Sequence, residues 1–144
     1  MLNGARRPYR QEFVLMNHCW SNAEANAEFI RNGEAFVKQW PQIKILNVTT
    51  IDGGMTCQCP ACLKAGSTGL LVDLFNRLAD RLEKVAPDVG LETVVGYEPL
   101  VAPPKPGGPV PNGKWQVLYA HWGRSHLTSY ADLDYPRRPN LLAW

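Results

Sequence analysis

IKILNVTTIDGGMTCQCPAC, residues 43–62, runs from an apolar segment into Asp52-Gly53-Gly54 and then into three cysteines spaced C-x-C-x-x-C. Short apolar runs bounded by turn residues predict buried strands, so Ile43–Ile51 is expected to be one. A carboxylate at the exit of such a strand, ahead of a cysteine-stiffened loop, is how an α/β enzyme presents a catalytic group. The flanking sequence repeats this plan. Phe13–Asn17 (FVLMN) is a second apolar run on the amino side. Ser21-Asn22-Ala23-Glu24 then fits a capping box, with Ser21 as N-cap. Phe29, Ile30, Gly33, Phe36, Val37 and Trp40 recur at helical spacing, and Pro41 ends the helix.

Beyond the cysteines, a helix is expected from Ser67 or Thr68. Leu71, Leu74, Phe75, Leu78, Leu82 and Val85 form its apolar stripe, and Pro87 and Gly90 stop it. Thr93–Tyr97 and Trp115–Ala120 read as two further strands, and Asn140–Trp144 as the opening of another helix. The order β-α-β-α-β-loop-β-(α) implies an α/β fold of parallel βα repeats. Five prolines fall in Pro103–Pro111, so the Pro-rich stretch 102–114 is expected to be an extended loop. Its length allows a parallel crossover or an antiparallel pair. The whole chain, 1–144, is expected to form a single domain.

Composition narrows the function classes. The 144 residues carry a net charge of +2 and 19% charged residues, without a Lys/Arg run beyond Arg6-Arg7 and Arg137-Arg138. That argues against a nucleic-acid partner. No apolar segment approaches the roughly 20 residues of a membrane span, and the N-terminus lacks the apolar core of a signal peptide.

In parallel α/β architectures ligand sites lie beyond the carboxyl ends of the strands. Those ends carry Asn17-His18, Asp52, Tyr97-Glu98 and His121-Trp122-Gly123-Arg124. Most other carboxylates fall on helices; Glu12 and Glu92 precede strands. Asp52 and Glu98, on consecutive strands, are therefore the candidate catalytic pair. Paired carboxylates suit glycoside cleavage, one protonating the leaving oxygen while the other attacks or stabilises the sugar cation. Tyr97, His18, His121, Trp122 and Arg124 are the candidate sugar-binding groups. Such a reaction requires no cofactor.

Cys19 follows the first strand at the same rim as Cys57, Cys59 and Cys62, so all four cysteines are expected to converge. A structural zinc site, two disulfides and packed free thiols are all compatible with the spacing. A thiol-redox module is disfavoured, because the motif reads as part of a Gly-rich loop rather than the start of a helix.

His18-Cys19, Asp52-Gly53, Cys57-Gln58-Cys59-Pro60-Ala61-Cys62, Phe75-Asn76-Arg77-Leu78-Ala79, Tyr97 with Pro103-Pro104, and Asn140–Trp144 together resemble a domain now placed in glycoside hydrolase family 163. The resemblance implies a (β/α)8 barrel acting as an endo-β-N-acetylglucosaminidase on glycans, often exported to the periplasm or cell surface. At 144 residues the chain matches about half of such a TIM-like barrel, which typically runs to about 250 residues. It is therefore expected to be a fragment or a reduced relative of doubtful activity, with an exposed sheet edge prone to self-association. A non-catalytic carbohydrate-binding module with the same aromatic rim is the competing expectation.

Overall fold

The computed structural model describes residues 17–50, 56–95, 100, 102–120, 127, 129, 131, 132 and 138–144. The elements are α1 (Ala23–Gln39), β1 (Ile45–Asn47), α2 (Pro60–Ala65), α3 (Ser67–Val85), β2 (Gly90–Val95), β3 (Gln116–Tyr119) and α4 (Arg138–Ala143). The expected strand at 13–17 lies outside the described residues apart from Asn17.

The three strands form one sheet in the order β1-β2-β3, parallel throughout. Asn47 pairs with Glu92, and Glu92 with Gln116. Glu92 was expected ahead of its strand. It lies within β2, where its carboxylate accepts a hydrogen bond from Asn47 Nδ2 at 2.8 Å. Leu91 before it and the β-branched run Thr93-Val94-Val95 after it carry the strand through Glu92, and pairing starts already at Gly90.

One face of the sheet carries the core. Leu46, Leu91, Thr93 and Val95 are buried together with Leu71, Val72, Leu74, Phe75, Leu78, Ala79 and Leu82 of α3. Burying each of these leucines contributes about 1.5–3 kcal/mol, so the α3 stripe is the main source of cohesion. The opposite face leaves Ile45 and Leu118 exposed, at 59% and 41%.

Helix α1 packs on α3 along Gly33 and Val37. A Cβ at Gly33 would stand 2.9 Å from Leu78 Cδ1, so the absence of a side chain sets the approach of the two helices. This contact line leaves Phe36 and Trp40 half exposed, although both were expected on the buried stripe. Glu34 is one of the carboxylates placed on a helix, away from the strand ends. Its carboxylate accepts hydrogen bonds from Arg81 Nε at 2.6 Å and Lys38 Nζ at 2.5 Å, joining α1 to α3.

The cap of α1 also differs from expectation. Asn22, not Ser21, is the N-cap, its side-chain oxygen accepting from Ala25 N at 2.9 Å. Asn caps at least as well as Ser, and starting the helix one residue later releases the Ser21 hydroxyl.

The Pro-rich stretch takes the place of a crossover helix. Thr68 Oγ1 donates to Ala102 O, and Asn76 Nδ2 donates to Val110 O. Asn76 Oδ1 accepts from Asn112 N and from Trp115 Nε1. Lys114 reaches Asp80 and Glu83. Residues 102–114 are thereby held along α3 and carry the chain back to start β3 beside β2 in the parallel sense. Gly107 and Gly113, at φ 77° and 78°, supply left-handed turns that other residues adopt only under strain.

Candidate metal centre

The four cysteines come from two segments. Cys19 precedes α1, and Cys19 O accepts from Asn22 N in the turn that opens that helix. Cys57 and Cys59 precede α2, and Cys62 lies within it. Sequence reading placed this whole motif in a loop. The structure corrects that: Cys59 is the N-cap of α2, its sulfur accepting from Cys62 N at 3.5 Å, and Pro60 opens the helix. Proline just inside a helix start is the signal that could have revealed α2 from sequence, since its missing N–H costs nothing there.

All four sulfurs lie within 4.8 Å of one another. Cys19 Sγ is 3.8 Å from Cys59 Sγ and 3.7 Å from Cys62 Sγ. A disulfide requires about 2.05 Å, so neither contact is a bond, and none of the four cysteines is in a disulfide. A tetrahedral ion with Zn–S near 2.3 Å requires its sulfurs about 3.8 Å apart. The donor set, the two separations of 3.7 and 3.8 Å and the overall spread within 4.8 Å are therefore compatible with a tetrathiolate metal site. Cys57, Cys59 and Cys62 are buried and Cys19 is partly exposed.

Ser21 is the residue that sequence reading missed. Its Oγ lies 3.2 Å from Cys19 Sγ, 3.4 Å from Cys59 Sγ and 3.2 Å from Cys62 Sγ. The sulfurs are electrostatically unequal. The Ser21 hydroxyl, followed by the Cys62 backbone N–H, holds the Cys59 thiol down at about 6. Burial pushes the Cys62 thiol up to about 12. At Cys19 burial acts upward, but hydrogen bonds with Ser21, Cys57 and Cys62 outweigh it and the net shift is downward. A Cys-x-x-Cys pair opening a helix with a lowered first thiol is also the layout of dithiol redox sites, so the reason given above for disfavouring that chemistry does not hold. Burial of three of the sulfurs and convergence of the fourth favour metal binding.

The cluster sits at one rim of the sheet. It adjoins the amino-terminal ends of α1 and α2, and α3 starts directly after α2. Thr68, in the first turn of α3, bonds to Ala102 shortly after β2 ends. That is the rim where the parallel strands finish.

His18 belongs to the same rim. Its Nε2 is 3.0 Å from Asn26 Oδ1 and its ring lies 5.4 Å from that of Phe29. Asn26 is buried and donates to Trp20 O at 2.7 Å, so this polar pair anchors the turn that carries Cys19. Asp52, Tyr97, Glu98, His121, Trp122 and Arg124 lie outside the described residues.

A family model described as a domain of unknown function, DUF4838, matches residues 1–114. The chain belongs to the DUF4838 family. The match takes in α1, β1, α2, α3, β2, the Pro-rich connector and all four cysteines, while β3 and α4 lie beyond it. No curated protein and no solved structure matches the chain. Among the described residues of this DUF4838 chain, no helix is long and apolar enough to cross a membrane.

Proposed function

We propose that this chain is a carbohydrate-processing α/β domain of the glycoside hydrolase type, whose ligand rim is braced by one zinc ion on Cys19, Cys57, Cys59 and Cys62. What supports the reading is the thiol cluster at the starts of α1 and α2, the helix ends that parallel βα connections set beside the carboxyl ends of strands. Asp52 follows β1 in the chain, Glu98 follows β2, and His121 follows β3, so each candidate group is encoded just past a strand terminus. A sequential, all-parallel order β1-β2-β3 is compatible with the barrel wall that the resemblance to glycoside hydrolase family 163 implies.

Four thiolates fill the coordination of zinc and leave no open position for substrate, so the ion is structural. It would tie the turn before α1 to the turn before α2 and so set the geometry of the intervening loop that carries Asp52. Soft sulfur donors select zinc over magnesium or calcium.

In the proposed cleft Glu98 is the general acid and base. Asp52 is the nucleophile or, for a substrate with an N-acetyl group, orients that group for attack. Tyr97, His18, His121, Trp122 and Arg124 hold the sugar. The test is release of reducing ends from N-acetylglucosamine-containing oligosaccharides by the purified protein. Glu98→Gln is expected to lower the rate by about 10²–10⁴. Activity equal to the parent removes Glu98 from the scheme; binding without hydrolysis by the parent favours the carbohydrate-binding alternative.

A further inference from the structure

Ser21 is the residue that the capping-box pattern with Glu24 assigns to cap α1. The structure gives that task to Asn22 and leaves the Ser21 hydroxyl among three sulfurs drawn from both cysteine segments. We propose that Ser21 is a positioning residue of the metal centre: the Cys62 thiol, which donates to Ser21 Oγ, gives up its proton on metal binding, and the single Ser21 O–H is then shared among the facing thiolates, tuning and retaining the bound ion. This rests on the zinc reading given above.

The physical need is charge. Four thiolates around a divalent ion carry a net charge of −2, and Cys57, Cys59 and Cys62 are buried. Buried negative charge is costly unless donors face it. The donors in view are the Cys62 N–H on Cys59 Sγ, the Ser21 backbone N–H, which faces Cys19 and Cys62 and is kept in any Ser21 variant, and the Ser21 hydroxyl. Donation to a metal-bound thiolate stabilises the sulfur lone pairs and orients the ligand. Groups of this kind are worth about 10–100-fold in metal affinity. The Ser21 contacts also bridge the segments: one hydroxyl addresses Cys19 from the α1 turn and Cys59 and Cys62 from α2, so it aligns the two halves of the site before the ion arrives.

The test replaces zinc with cobalt(II), whose sulfur-to-metal charge-transfer band reports thiolate energy and whose d–d bands report tetrahedral geometry. Ser21→Ala is expected to fold, since the cap belongs to Asn22, and circular dichroism checks this. It should keep tetrahedral d–d bands, shift the charge-transfer band to longer wavelength, and lose about tenfold or more in affinity in a chelator competition. Ser21→Thr keeps the hydroxyl and should restore both readouts. Asn22→Ala removes the helix cap alone and should lower stability while leaving the band in place. A Ser21→Ala protein with the wild-type band and affinity overturns the proposal, as does a Ser21→Thr protein that behaves like Ser21→Ala. A wild-type protein that takes up neither zinc nor cobalt overturns the metal reading itself, and the Ser21 proposal with it.

Discussion

Replacing Asn76 by Ala should release the Pro-rich connector from α3. Three hydrogen bonds converge on this one amide: Trp115 Nε1 at 2.8 Å, Asn112 N at 3.0 Å and Val110 O at 2.9 Å. Trp115 is only 5% exposed, so its indole N–H is left buried without an acceptor, at about 1–3 kcal/mol. The Val110 and Asn112 groups reach solvent and lose only the net value of a bond, about 0.5–1 kcal/mol each. The expected loss is therefore about 2–5 kcal/mol, a large share of the 5–15 kcal/mol of a typical domain. Urea unfolding followed by far-ultraviolet circular dichroism measures it. Trp115→Phe removes the N–H while keeping an aromatic ring near Phe75, whose centroid lies 5.3 Å from that of Trp115. In that background Asn76→Ala should cost about 1–2 kcal/mol less, because the buried donor is already gone. A single-variant loss under about 0.5 kcal/mol, or the same loss in both backgrounds, would show that the amide does not hold the connector.

Leu78 is fully buried between α1 and α3, so Leu78→Ala should cost about 2–5 kcal/mol in the same assay; a smaller loss would mean the interface collapses freely into the space. Arg81, then Lys38, holds the Glu34 carboxyl down at about 2, from an ordinary 4.5. A depressed carboxyl stabilises the fold fully above its unfolded value and progressively less as pH falls toward the folded one. The stability difference between wild type and Glu34→Gln should therefore shrink between pH 5 and pH 2; a constant difference would contradict the ion pair. Chelation of the metal should lower the melting temperature and expose the thiols, more readily as pH falls, because protons compete with the ion for sulfur.

Much of this fold was legible in the sequence because its helices are strongly periodic. The α3 stripe from Leu71 to Leu82 is buried as its spacing requires, and Pro41 and Pro87 mark the ends of α1 and α3. The parallel pairing of β2 and β3 was not legible. It depends on Asn76, Asn112 and Lys114 fastening a proline-rich segment along α3, contacts made across 36 and 34 residues of sequence that no local pattern encodes. Strand limits were misjudged for a related reason: β1 comprises Ile45–Asn47, shorter than the expected run, while β2 begins at Gly90, three residues before the expected start, because hydrophobicity alone marks burial rather than ladder pairing. The convergence of Cys19 with the C-x-C-x-x-C motif could be read once both were placed at one rim. The role of Ser21 could not, because Ser and Asn cap helices about equally well and only the geometry shows which one does.

Elemental analysis of the natively purified protein, beside a count of thiols reactive before and after chelation, tests the metal centre most directly. About one zinc per chain is expected, with Cys19, Cys57, Cys59 and Cys62 unreactive until the ion is removed. A folded protein that holds no metal while its thiols react freely would contradict it, and would leave the Cys59–Cys62 pair as a dithiol instead.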